Sequence, residues 1–131
     1  MLKVLLYIWQ LPQNLLGLLV ILFTGAEHDW DDYWTAKINM GVSLGSYIII
    51  YDKCSRNELK HEQGHQKQSR YLGPLYLLII GLPSALGNMW DRLFHKKWSV
   101  SKRVSWYYKQ PWEAWADKLG GVKERLKKEA K

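Results

Sequence analysis

The chain has 131 residues, enough for one small domain, and a formal net charge of +7. It carries 8 Trp and 8 Tyr but only 2 Phe, and aromatics with a polar edge favour a membrane–water interface. No Gly-rich phosphate loop, serine nucleophile elbow, nucleic-acid module or internal repeat is present, so the basic charge points to anionic lipid headgroups before nucleic acid. The single Cys54 excludes an intrachain disulfide and reads as a packed or solvent-facing thiol.

Residues 4–26 carry no formal charge and are long enough to cross a bilayer. Only Lys3 precedes them and the apolar run is interrupted, so a retained membrane element fits better than a signal peptide. Gln10, Pro12, Gln13 and Asn14 break the run near its middle, which gives one kinked helix or a shallow helical hairpin. Residues 27–34 are acidic and aromatic. His28 with Asp29, Asp31 and Asp32 could bind a cation, but a solvated loop anchored by Trp30 and Trp34 is the better reading, because no second His stands at helical spacing. Residues 41–51 predict a β-hairpin turning at Gly45-Ser46, with Tyr47, Ile48, Ile49, Ile50 and Tyr51 as its β-branched and aromatic arm.

Residues 57–70 predict a helix capped by Asn57. Within it lies His-Glu-Gln-Gly-His. On a helix His61 and His65 share one face at i and i+4, within reach of one Zn²⁺, and Glu62 beside them can polarise a water bound to that metal. For this motif alone the competing reading is a solvated helix with two exposed histidines. Gly64 lowers helix propensity, and its missing side chain lets another backbone approach closely. A catalytic zinc site needs a third ligand, and Glu113 in Glu-Ala-Trp-Ala-Asp offers one. Residues 71–95 predict a hydrophobic hairpin, with Pro74 starting a helix and the bend at Gly81-Leu82-Pro83-Ser84. Residues 91–112 are basic and aromatic and read as interfacial anchors. Residues 111–120 predict a last helix starting at Pro111 and ending at Gly120-Gly121, followed by a basic tail over 121–131.

HEQGH followed by EAWAD resembles the HExxH…ExxAD pair of gluzincin zinc metallopeptidases, most closely the membrane branch of CAAX prenyl endopeptidases. The resemblance covers two short motifs, well under half the chain. It implies His61, His65 and Glu113 as ligands of one Zn²⁺ per chain and Glu62 as general base. It also implies Asp117, one turn past Glu113, as the acceptor for a ligand imidazole N–H. Gluzincins place a strand upstream of the HExxH helix and bind substrate along its edge, which makes Tyr47, Ile48, Ile49 and Ile50 the candidate substrate-edge strand; a hairpin that covers the core is the equal alternative. Peptidases of this group take an oxyanion donor from beyond the glutamate ligand, where this chain offers only Arg125. Tyr107 and Tyr108 become the candidate donors, with His95 and Arg103 behind them.

The ligands constrain topology. His61 and His65 precede the apolar stretch 71–90 and Glu113 follows it, while Lys96, Lys97, Lys102, Arg103 and Lys109 make a return crossing costly. One chain builds the site only if that stretch enters and leaves on one side, as a re-entrant hairpin; a site shared between chains is the alternative. Residues 91–131 hold 12 Lys or Arg against 5 Asp or Glu, which puts the tail and the active site on the cytoplasmic face of a membrane. The expected fold is α+β and mostly helical, a minimal metallopeptidase domain over residues 1–131. The expected partners are a lipid bilayer and a peptide or membrane-protein substrate, with a second copy or a partner protein as candidates to complete the cleft. The expected function is zinc-dependent peptide-bond hydrolysis at or in the membrane. The alternative is a small membrane interaction or structural protein that keeps the zinc site without turnover.

Overall fold

Ser55 sets the start of the longest described helix. Its backbone is extended and its Oγ accepts the Glu58 N–H at 3.1 Å, so α3 runs Arg56–Leu72. The cap is thus Ser55 and not Asn57, which lies inside the first turn. The computed structural model describes residues 1–29 and 33–122. Trp30, Asp31 and Asp32 of the acidic patch, and the basic tail beyond Val122, lie outside the described residues.

The architecture is α+β and mostly helical, as expected, but the β part is a four-stranded mixed sheet and not a lone hairpin, because Glu27–His28 and Trp34–Ala36, expected within a solvated loop or beyond it, add two strands to it. Two helices, α1 (Leu2–Trp9) and α2 (Leu11–Thr24), precede four short strands: β1 (Glu27–His28), β2 (Trp34–Ala36), β3 (Val42–Leu44) and β4 (Tyr47–Tyr51). After α3 come a tight 3₁₀ turn (Gly73–Leu75), a π turn (Leu77–Gly81), α4 (Leu82–Phe94), α5 (Val100–Tyr108) and α6 (Pro111–Gly120). Pro111 opens α6, and Gly121 in a left-handed conformation closes it.

The sheet order is β1-β2-β4-β3, with β2 parallel and β3 antiparallel to β4. The expected hairpin is β3–β4, turning at Gly45-Ser46. Tyr47, Ile48, Ile49 and Ile50 do not form a substrate edge, however. β4 is the interior strand, pairing with β3 through Tyr47, Ile48 and Ile49 and with β2 through Ile49, Ile50 and Tyr51, and Ile48, Ile49 and Ile50 are buried in the core with Leu44, Ile21, Tyr76 and Ile80. A continuous β-branched run suits a strand covered on both faces, so the free edge beside α3 falls to the shorter β3.

No single described helix is long and apolar enough to cross a membrane. Two bent pairs have the length and composition together: Leu2–Trp9 with Leu11–Thr24, bent by 84°, and Arg56–Leu75 with Leu77–Phe94, bent by 119°. The first break lies at Gln10, and Pro12 stands in the first turn of α2, where it forfeits no hydrogen bond. The second bend is not at Gly81–Ser84, where the chain runs on from the π turn into α4 with Pro83 again in a first turn. It falls at Gly73-Pro74. Gly73 has φ +56°, and a Cβ there would lie 2.1 Å from the Trp9 ring. Both pairs leave large apolar side chains exposed, among them Leu19, Leu22 and Phe23 on α2 and Leu86, Trp90 and Phe94 on α4.

A buried polar latch holds the N-terminal helices to the end of α3. Gln13 Nε2 donates to Ser69 Oγ and to the Gly73 carbonyl, both at 2.8 Å, and Ser69 Oγ donates to Gln10 Oε1 at 2.7 Å. Trp9 Nε1 donates to the Arg70 carbonyl. Asn14 Oδ1 accepts the Ser46 N–H and so ties α2 to the hairpin turn. Each of these groups would carry a large desolvation cost unpaired, so the latch specifies one packing arrangement.

α3 and α6 meet backbone to backbone. A Cβ on Gly64 would lie 1.8 Å from the Ala116 carbonyl oxygen, and one on Gly120 would lie 1.9 Å from the Lys60 carbonyl oxygen. Gly64→Ala therefore forces the two helices apart and is expected to cost about 3 kcal/mol or more. Gly87→Ala in α4, where nothing lies within 4 Å, is expected to stabilise by about 0.5–1 kcal/mol. Thermal or urea unfolding of the two variants checks the contrast.

Candidate metal centre

α3 buries a polar face: His61, Glu62, His65, Gln68 and Ser69 point inward. Helical spacing sets His61 and His65 together, with ring centroids 4.6 Å apart. The close α3–α6 approach brings Glu113, in the first turn of α6, against both. Its Oε2 lies 2.9 Å from His61 Nε2 and 3.0 Å from His65 Nε2. One ligand atom from each of the three residues falls within 4.8 Å of the others, and all three residues are buried.

The remaining polar atoms of these groups are held. His61 Nδ1–H donates to Asp117 Oδ1 at 2.7 Å. His65 Nδ1–H donates to Gln68 Oε1 at 2.7 Å, while Gln68 Nε2 donates to the Trp112 carbonyl, which fixes the amide's orientation. Both imidazoles therefore present Nε2 to the shared centre. Ser84 Oγ donates to Glu113 Oε1, and the Tyr107 hydroxyl lies 3.1 Å from Ser84 Oγ, so Oε2 is the oxygen left facing the histidines.

This donor set fits a metal. Two imidazole nitrogens and a carboxylate are a catalytic zinc combination, and tetrahedral zinc holds its ligand atoms roughly 3.3 Å apart, a few tenths beyond the contacts seen. Glu62 supplies the independent observation. It is 4 % exposed, its Oε2 is buried without a hydrogen-bond partner, and Gly41 packs against it with no side chain between. Gln13 Oε1, Ser43 Oγ and Trp112 Nε1 are also buried without partners, but of these atoms Glu62 Oε2 alone belongs to a carboxylate beside the histidines, where it can accept from a bound water. Imidazole donors of this kind also suit other first-row transition-metal ions.

Electrostatics describe the same centre holding protons. Burial would lower the His61 pKa, but hydrogen bonds to Asp117 and Glu113 outweigh it and raise the value to about 10. Burial also opposes protonation of His65, and its bond to Glu113 again raises its pKa. Burial alone would raise Glu113, yet the two imidazoles hold it well below the usual carboxylate range. Burial raises Glu62, partly offset by the charges of His65 and His61. Glu62 is therefore a stronger base than a solvated carboxylate.

A cavity of about 520 Å³ opens in front of His61, Glu62 and His65. Tyr107 and Tyr108 both line it. Tyr107 is bonded to Ser84, and Tyr108 donates to Glu58 Oε1 at 2.6 Å with its ring edge-on to His61, so both hydroxyls are already engaged. His95 and Arg103 lie apart. His95 stacks on Trp98 and bonds Asp91, which also takes two bonds from Arg103, so the group ties α4 to α5 and does not line the cavity. His28 packs edge-on against Trp34 and is not part of the cluster.

The sequence reading missed Gln68 and Ser84. Gln68 was within reach of helical spacing, three residues after His65 on the same face. Ser84 carried no local signal, because it reaches Glu113 only once α4 is folded back. Asp117→Ala and Gln68→Ala should each weaken the affinity for added divalent metal about 10- to 100-fold, read by competition with a chromophoric chelator. In the metal-free protein, His61's raised pKa gives stability that is fully present below pH 6.5 and is lost as pH rises through about 10. Raised Glu62 acts in the same direction above 4.5. Lowered Glu113 contributes above 4.5 and is lost only toward strong acid. Thermal unfolding in chelator should therefore show the melting temperature falling between pH 6.5 and 10, and a flat or rising profile would refute the shared-proton arrangement.

Comparison with known proteins finds no matching family model, no matching curated protein and no matching solved structure.

Proposed function

We propose that the protein is a zinc-dependent metalloendopeptidase of the gluzincin type, working at a membrane surface. The observation that carries this reading is the meeting of His61, His65 and Glu113 beside an unpartnered, buried Glu62 oxygen at the wall of one cavity. His61 Nε2, His65 Nε2 and Glu113 Oε2 would hold the ion. Zinc bound there supplies Lewis acidity, lowering the pKa of bound water toward neutrality and polarising a carbonyl. Asp117 and Gln68 keep the two imidazoles in the ligating tautomer, and Ser84 turns Glu113 toward them. Glu62 Oε2 accepts the proton of the attacking water and passes it to the leaving amine; its raised pKa suits both directions of transfer. Tyr107 would serve as oxyanion donor by giving up its bond to Ser84.

The exposed apolar faces of α2 and α4 support a bilayer as the partner. The bent pairs let these faces enter one leaflet without carrying α6 to the far side. The cationic residues on the α4–α5 side, Lys96, Lys97 and Lys102, suit anionic headgroups, on the membrane's cytoplasmic face in this reading.

Purified protein is expected to hold about one zinc per chain by elemental analysis, as three-ligand catalytic sites do. Glu62→Gln should retain that zinc while lowering peptide cleavage about 10²- to 10⁴-fold. Retained zinc with no cleavage by the wild type would instead favour a metal-bound interaction module.

A further inference from the structure

The free edge of β3 is less open than its position suggests. Leu44 and Tyr47 flank the two-residue turn and form the hydrogen-bonded pair, so alternation along the ladder directs the Ser43 N–H and carbonyl away from β4. That outward carbonyl is already occupied. Tyr76, from the bend after α3, is 3 % exposed and its hydroxyl donates to Ser43 O at 3.0 Å. Burial, with the nearby Glu62 and Glu113 charges, raises the Tyr76 pKa far above neutrality, so the hydroxyl stays a donor. The next outward position, Gly41, packs on Glu62. A peptide pairing with the edge gains main-chain bonds at alternate residues. Here it would have to displace a buried phenol, leaving that hydroxyl without a partner.

The cavity offers recognition of another kind. Leu16 and Val20 from α2, Leu44 from β3, and Leu77 and Leu82 from the α4 arm line its walls beside the metal-ligand cluster. Its volume of about 520 Å³ accommodates a large apolar group.

We propose that Tyr76 closes the β3 edge to strand pairing beyond Gly41, so that the cleft selects a peptide by a large apolar side chain and not by the length of its extended backbone. The assignment of that peptide as substrate rests on the hydrolase reading above; the binding rule does not.

The test uses the full-length, zinc-loaded Glu62→Gln protein in detergent micelles, which binds without turnover. The probes are fluorescently labelled peptides with a central Phe, lengthened by one to four Thr residues on either side. Affinity is expected to stay within about twofold across the series and to fall at least tenfold when Phe becomes Ser. Adding Tyr76→Ala, which removes the ring and uncovers the Ser43 carbonyl, should introduce length dependence of about tenfold across the series. Retained zinc content and near-ultraviolet circular dichroism show that this variant is folded. Affinity that already rises with length, a Tyr76→Ala variant that is folded but stays length-independent, or no binding by either protein overturns the proposal. If the length rule holds while the wild type cleaves none of these peptides, the hydrolase reading fails and the binding rule stands.

Discussion

The backbone contact between α3 and α6 is the constraint from which the rest of the site follows. A carboxylate side chain is short, and Glu113 can reach two imidazoles on a neighbouring helix only if the helix axes come unusually close. Gly64 faces the Ala116 carbonyl, and Gly120 faces the Lys60 carbonyl one turn away, so the contact is reciprocal and runs alongside the two histidines. Close approach of this kind also excludes water from the interface. That exclusion is why His61, His65 and Glu113 act on one another as strongly as they do.

Such a contact needs the intervening chain to return α6 to the side it left. The bend at Gly73-Pro74 does this, and its position has a packing cause. Trp9 covers Gly73, Gln13 binds its carbonyl, and Ser69 one turn earlier is locked to Gln10 and Gln13. The N-terminal helices thus act as a brace on the turn that directs α4 back across the cavity. α4 then delivers Ser84 to Glu113, and the Asp91, His95 and Arg103 group with Trp98 fixes the entry into α5. Gln13 Oε1 and Glu62 Oε2 are buried without a partner, but the other hydrogen bonds of the latch and cluster would be lost on any alternative path.

The cavity combines two unlike surfaces. One wall is the titratable face of α3, where proton affinity is set by partners on α6. The others are aliphatic and belong to the same helices whose outer faces expose leucine, phenylalanine and tryptophan. A shared set of helices therefore shapes the inside of the cleft and the exposed apolar surface. The edge of β3 closes the remaining side, and Tyr76 joins it to the bend after α3.

Much was determined locally by the sequence. The spacing of His61 and His65, the ending of α6 at its glycines, the turn at Gly45-Ser46 and the start of α6 at Pro111 all depend on neighbours within a few residues, and so they are legible from the chain. The convergence of Glu113 on the histidines and of Asp117 on His61 was anticipated through motif resemblance, and the structure brings these residues together. Other features depend on contacts far apart in sequence. Nothing local tells the proline at 74 from the proline at 83 as the site of reversal; Trp9, more than sixty residues upstream, decides it. Nothing local makes β4 the interior strand, since that depends on β2 adding in parallel from before the hairpin. Ser84 looks like an incidental hydroxyl in an apolar run until α4 folds over Glu113. The sequence by itself set the α3 and α6 helices and the chemistry they carry, because spacing and propensity act over single turns. Only the tertiary structure decided which strand lies inside the sheet, where the chain doubles back and which groups orient the histidines, because those outcomes depend on packing between residues that the chain keeps far apart.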